Sequence, residues 1–342
     1  MTMNLNKVWR RLCFWYRNAR PVALPQSLLP ALTALTLARF GGSGEFSWPL
    51  GLLAVAGVGL AHLSLNLFDD YFDYRKQGSG YREQLARQGM RARTTKCPYL
   101  VSGEAKLSEL LLAAVGFGGA AGALGLVIWL GRGSGILLVA GLGLVLGFFY
   151  SGPPVRLSYH GLGEAVIGAV FGPLVMIGVY LAAAGELSPA IWPVALALGL
   201  LVTNIVYAHS FLDLEADRAG GKLTLAGLLH SQNARLAAVG VFSIGPFVLI
   251  LCGMVLGWLP VSWLIPLLCP LPLALALYGS MREFVQRPGA AVQRRWWYGP
   301  MPNWEHIRAA KLDWFMLRWF MARNLTTGFA LCCMLAAIAA RR

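Results

Sequence analysis

Nine stretches of this chain are apolar almost from end to end, over about 21–39, 48–68, 108–130, 134–150, 162–184, 189–211, 236–256, 260–279 and 319–340. Each is close to the ~20 residues that a helix needs to cross a hydrocarbon core of ~30 Å. A helix on the surface of a soluble protein would carry a polar face instead. Lipid offers the backbone no hydrogen-bond partners, so spans of this kind must pair their own N–H and C=O groups as helices. The alternation of a membrane barrel is absent from these runs. The chain is therefore expected to be an all-α integral membrane protein with nine transmembrane helices. One domain would cover 1–342, with a core of about 20–280, a cytoplasmic interfacial segment at 281–318 and the last transmembrane helix at 319–340. Composition agrees: 57% of residues are apolar and 13% charged, against about 25% charged in a soluble domain.

The net charge of +14 has three candidate causes: nucleic acid, an anionic substrate, or membrane topology. Position decides between them. With a cytoplasmic N-terminus and nine alternating helices, 24 of the 29 Lys and Arg residues fall on the cytoplasmic side. This is the asymmetry of the positive-inside rule, and no nucleic acid is needed to explain it. A multi-pass protein of the cell inner (cytoplasmic) membrane, partnered by the lipid bilayer, is the expectation. The six cysteines form no CxxC pair and stand beside no histidine cluster, so neither a zinc site nor a disulfide framework is read from them.

Acidic residues are scarce, 15 in all, and their clustering is informative. Asn66-Leu67-Phe68-Asp69-Asp70-Tyr71-Phe72-Asp73 closes the second span at its cytoplasmic end. At ~100° per residue, Asn66, Asp69, Asp70, Asp73 and Gln77 project from one face roughly 100° wide. Asp213-Leu214-Glu215-Ala216-Asp217 closes the sixth span at the same membrane depth. Asp213 and Asp217 are i,i+4 neighbours, and Glu215 points to the opposite side. Arg218, Gly221, Lys222 and Thr224 follow in a glycine-bearing loop.

Carboxylates crowded in this way repel one another unless cations lie between them. Oxygen ligands without sulfur or imidazole suit a hard divalent ion, most simply Mg2+, which bridges carboxylates to substrate phosphates. The nearby basic residues Arg75, Lys76, Arg82, Arg87, Arg91, Arg93, Lys96 and Lys222 suit the remaining charge of a diphosphate. The chemistry that fits is ionisation of an allylic diphosphate in a dry, apolar and aromatic-lined chamber.

These residues resemble those of the UbiA superfamily of membrane prenyltransferases, and most of all its branch that prenylates dihydroxynaphthoate in menaquinone synthesis. NLFDDYFD (66–73) resembles the family's first aspartate-rich motif and DLEADRAGGKLTL (213–225) its second. The stretches LVSGEAKLS (100–108) and YSGPPVRLSYHGLGEAVIGAVFGPLVMIGVYLAAAGELS (150–188) are also similar. The resemblance implies a UbiA-like bundle of nine helices. It implies Mg2+ held by Asp70, Asp73, Asp213 and Asp217, which carry the catalysis, with Asn66 at the Mg2+–diphosphate and Lys222 on the diphosphate. Asp69 stands where the family commonly has Asn, and Gln77 where a further acid is frequent; both bear on substrate.

Asp69, Tyr150 and Arg156 are counted as candidate substrate-binding residues, with Tyr159 on the acceptor side and His209 as a candidate proton acceptor. Arg294-Arg295-Trp296-Trp297-Tyr298, Trp304, Trp314 and Trp319 suggest an amphipathic helix at the membrane surface. The implied reaction is Mg-dependent transfer of a prenyl group from a prenyl diphosphate to an aromatic acceptor, releasing diphosphate. Within the superfamily 4-hydroxybenzoate, haem, a chlorophyllide or a glycerol phosphate lipid are alternative acceptors. A transporter with juxtamembrane acids is the alternative of another class. The acids lie at helix ends beside basic loops rather than near the midplane, which speaks against it.

Overall fold

A computed structural model describes residues 5–42, 44–77, 97–219, 221–287 and 289–340. The described residues are helical, with one isolated bridge between His160 and Leu223. A helix stands at each of the nine expected places: α2 (Pro25–Gly41), α3 (Trp48–Gln77), α4 (Leu107–Arg132), α5 (Gly135–Ser151), α6 (Gly163–Ala184), α7 (Ile191–Leu212), α8 (Gln232–Val255), α9 (Val261–Gln286) and α10 (Asp313–Ala339). Seven of these are long and apolar enough to cross a membrane. The other two, α2 and α5, have 17 residues each, about 25 Å at 1.5 Å per residue. The chain is a multi-pass membrane protein, and nine crossings remain an expectation.

Three boundaries differ from the sequence reading. The second span does not stop near 68 but continues as one helix to Gln77, carrying the whole first acidic cluster. The basic N-terminal segment forms α1 (Leu5–Asn18), whose Phe14 and Trp15 pack edge-on against Tyr99 at 6.1 and 5.6 Å between ring centroids. The 281–318 stretch, expected as a surface helix, is divided: α9 runs on to Gln286, short turns lie at Trp296–Tyr298 and Trp304–Ala309, and α10 already starts at Asp313. Trp314 is stacked on Phe284 at 5.7 Å, so packing with α9 claims part of the aromatic set assigned to the interface.

Helix α7 is the axis of the bundle and packs against α6, α8 and α10. Its approach to α6 is possible because both lack side chains at the contact. A Cβ on Gly172 would stand 2.3 Å from the Gly199 Cα, and one on Gly168 would stand 1.9 Å from Thr203 Oγ1. This is the small-residue packing by which membrane helices gain van der Waals contact. Pro173 lies in a π-turn at Val170–Leu174. Proline has no N–H for the helix ladder, and the widened turn absorbs that loss. Phe171 and Val170 of this turn reach the central cavity.

Candidate active site

Both acidic clusters open onto one cavity of about 500 Å³. Asn66, Asp69, Asp70 and Asp73 line it from the end of α3, and Asp213, Asp217 and Lys222 from the segment after α7. Leu65, Val166, Ile167, Val170, Phe171 and Ile205 form its apolar walls. Tyr150, His209 and Trp319 also border it, whereas Arg156 is not part of the wall. Arg156 precedes the turn Leu157–Tyr159 in a left-handed conformation (φ 48°) outside that lining. Arg82, Arg87, Arg91, Arg93 and Lys96 lie outside the described residues, as do the side chains of Lys76 and Gln77.

The helical wheel accounts for the first cluster. On the unbroken α3, positions 66, 69, 70 and 73 share a face, and that face meets the cavity. Asp70 and Asp73 are buried, at 2% and 6% exposure. Side chains from distant segments orient them. The Tyr159 hydroxyl donates to Asp73 Oδ1 at 2.7 Å, and Ser151 Oγ donates to Asp69 Oδ1 at 2.5 Å. Tyr159, read as an acceptor-side candidate, is bonded to the first acidic cluster. Asn66 Nδ2 donates to the Ala19 carbonyl at 2.9 Å, tying the helix to the N-terminal segment.

Arg20 is the site residue that the sequence reading missed. Its Nη2 lies 3.1 Å from Asp69 Oδ2 and 3.3 Å from Asp70 Oδ1, and it donates to the Asn66 carbonyl at 2.9 Å. Burial alone would lower the Arg20 pKa, but Asp70 and Asp69 outweigh it and hold the guanidinium above its ordinary range. The Tyr99 hydroxyl stands 3.4 Å from Asp70 Oδ2, and burial, with the Asp70 charge beside it, pushes this phenol up and keeps it protonated. In the sequence Arg20 is one of five basic residues in a row of terminal charges. Its left-handed backbone (φ 57°) just before Pro21 is the only local peculiarity, and sequence does not display it.

The second cluster is built differently. α7 ends at Leu212, and Asp213 (φ −106°, ψ 18°) breaks the helix before a short one at Leu214–Ala219. The expected i,i+4 relation survives as a main-chain turn, in which Asp217 N donates to the Asp213 carbonyl at 2.9 Å. Lys222 N in turn donates to the Asp217 carbonyl at 2.9 Å, through a left-handed Gly221 (φ 63°). Asp213 and Asp217 are buried, and Glu215 faces outward as expected. His209, one turn earlier, lies edge-on to Phe315 at 5.0 Å.

Among the described residues, five carboxylates line the cavity beside the three cations Arg17, Arg20 and Lys222. A prenyl diphosphate could not enter a chamber with that negative excess unless further positive charge accompanied it. Among the described residues no three of His, Cys, Asp and Glu stand close enough together to hold a metal ion by themselves. Open, all-oxygen sites suit Mg2+, which keeps waters and completes its shell with substrate phosphate. The carboxylate oxygens of the two clusters suit a hard ion such as Mg2+, although the wall also includes the Cys97 thiol.

The sequence profile of the UbiA prenyltransferase family matches residues 27–299. The chain belongs to the UbiA prenyltransferase family. It is a prenyltransferase. Among the curated relatives, the 1,4-dihydroxy-2-naphthoate octaprenyltransferase of Bacillus subtilis is 24% identical over 257 residues, covering 73% of this chain and 77% of that protein. The enzyme of the same name from Escherichia coli is 28% identical over 232 residues, covering 65% and 70%. A UbiA homolog from Archaeoglobus fulgidus, solved bound to GPP and Mg2+, shares the fold at a TM-score of 0.61. It is 17% identical and covers 96% of this chain and 99% of that one.

Proposed function

We propose that this UbiA-family enzyme transfers a prenyl group from an allylic prenyl diphosphate to a dihydroxynaphthoate-type aromatic acceptor in a Mg2+-dependent reaction. The observation that carries this reading is the convergence of two aspartate clusters, from sequence positions more than a hundred residues apart, on one chamber with apolar walls. The names of the curated relatives support the acceptor class. The archaeal homolog bound to GPP and Mg2+ supports the donor and the ion.

Asp70, Asp73, Asp213 and Asp217 would hold Mg2+, whose charge would neutralise the leaving diphosphate. Asn66 and Lys222 would bind the diphosphate, and Arg20 would keep the first cluster together while the chamber is empty of substrate. Heterolysis of the allylic C–O bond leaves the electron pair on the diphosphate. The apolar wall excludes water, which would otherwise quench the cation. Phe171 and Tyr150 give the cation aromatic neighbours. The acceptor ring then attacks, and a ring proton or a carboxyl group leaves to restore aromaticity. His209 and Tyr150 border the chamber where that step takes place.

With nine crossings and a cytoplasmic N-terminus, the aspartate end of the bundle would lie on the cytoplasmic side of the inner membrane, the side then rich in Lys and Arg, in one domain over 1–342. The 281–318 segment then lies on that same side. Purified enzyme incubated with Mg2+, a panel of prenyl diphosphates and candidate acceptors should release diphosphate and form a prenylated naphthoate. A preference for 4-hydroxybenzoate or a glycerol phosphate lipid would overturn the acceptor assignment. Full turnover in EDTA would overturn the metal dependence.

A further inference from the structure

The chamber accounts for the four buried aspartates of the two clusters. A further buried carboxylate, Glu164 at 2% exposure, does not line it. Glu164 sits in the first turn of α6, and both its oxygens accept the same donor, the Leu225 N–H, at 3.2 Å each. Leu225 is three residues beyond Lys222.

The residues on either side of Leu225 are held as well. Gly161 N donates to the Leu223 carbonyl at 2.8 Å. Buried Arg235, at the start of α8, donates from Nε to the Ala226 carbonyl at 2.9 Å. The Tyr207 hydroxyl of α7 fixes Arg235 in turn, donating to its carbonyl at 3.1 Å. Thr224 caps the short helix by accepting from Gly227 N at 3.3 Å. Three residues, Gly161 and Glu164 at the entry to α6 and Arg235 on α8, thus grip the five residues that follow Lys222.

Loops of soluble and membrane proteins alike are usually the least restrained parts of a fold. Burying a carboxylate and a guanidinium costs free energy that a connecting loop does not require. That cost is understandable where the loop must present a charge in a fixed place, because reaction geometry tolerates little slack. Lys222, the residue immediately before this strap, both carries charge and lines the chamber.

We propose that Glu164 is a positioning residue for the prenyl diphosphate. With Arg235 it clamps the 223–227 strap and thereby fixes Lys222 toward the leaving group; this rests on the reading of Lys222 as a diphosphate ligand. Glu164→Ala should raise the KM for the prenyl diphosphate roughly tenfold, the effect of losing a hydrogen bond to a charged group. The KM for the acceptor should stay within about twofold. Glu164→Gln, which keeps one accepting oxygen, should give a smaller rise of about threefold and serves where the alanine variant does not fold.

Because Glu164 acts through Lys222, Glu164→Ala added to Lys222→Met should raise that KM no further. Additive losses, or equal losses in both KM values, would overturn the proposal. Hydrogen exchange over 221–228 in the full-length protein separates the two ideas. Exchange should quicken in Glu164→Ala, and unchanged protection would overturn the clamp alone. Unchanged KM in Lys222→Met would overturn the diphosphate reading of Lys222 and, with it, the role proposed for Glu164.

Discussion

The two aspartate-bearing helix ends meet the same chamber but are assembled by different means. On α3 the helix is unbroken, and side chains from elsewhere fix its carboxylates: Arg20 at Asp69 and Asp70, Ser151 at Asp69, Tyr159 at Asp73. On α7 the helix stops at Leu212, and main-chain turns through Asp217, Gly221 and Lys222 set the cluster. A cluster built by side chains depends on residues remote in sequence. A cluster built by the backbone depends on the local conformations that permit the turn. The carboxylates of the first are therefore open to damage at a distance, whereas Asp213 and Asp217 are open chiefly to damage in place, with Lys222 alone tied to the remote pair Glu164 and Arg235 through its strap.

If both halves serve one ionisation step, Asp70→Ala and Asp213→Ala should each lower diphosphate release by on the order of a thousandfold or more. Normal expression and thermal unfolding in detergent would show that the fold is kept. A large loss in one variant alone would break the equivalence of the two halves. Arg20→Ala should follow, at on the order of a hundredfold in kcat/KM, since it removes a cation shared by two neighbouring carboxylates. Steady-state kinetics against prenyl diphosphate concentration reads this directly.

Tyr159→Phe removes a single bond to Asp73, and roughly a twentyfold loss is the expected outcome. Gly221→Val tests the other half. Its left-handed backbone has no neighbouring atom within 4 Å of a built Cβ, so conformational strain is the only objection to a side chain. That strain is about 1–2 kcal/mol, and roughly a tenfold rise in the KM for prenyl diphosphate should follow, with the first cluster undisturbed. Arg156→Gln, outside the chamber wall, should change turnover by no more than about twofold. A large effect at Arg156 would return it to the substrate-binding set.

Much of this was legible in the residues. The nine apolar runs marked nine helices because lipid forces backbone pairing within each segment. Positions 66, 69, 70 and 73 could be placed on one face because helix geometry is fixed by local bonds. Arg20 was not legible as a site residue, since its value lies in a contact with a helix end almost fifty positions away. The bond from Tyr159 to Asp73 was not legible for the same reason. The 281–318 stretch read as a surface helix because aromatic and basic residues favour the headgroup level. The stretch is divided among the end of α9, two short turns and an early start to α10, rather than forming one helix.

By itself the sequence determined that the chain is helical and membrane-embedded and that two acidic clusters close two of its helices. These follow from properties local to each segment: apolar run length, charge position and helical period. Only the tertiary structure decided that the clusters share one chamber, that Arg20 and Tyr159 hold the first of them, and that Glu164 and Arg235 grip the strap beyond the second. Such pairings join residues that are far apart along the chain, and the folded packing of α3, α6, α7 and α8 alone brings them within hydrogen-bond reach.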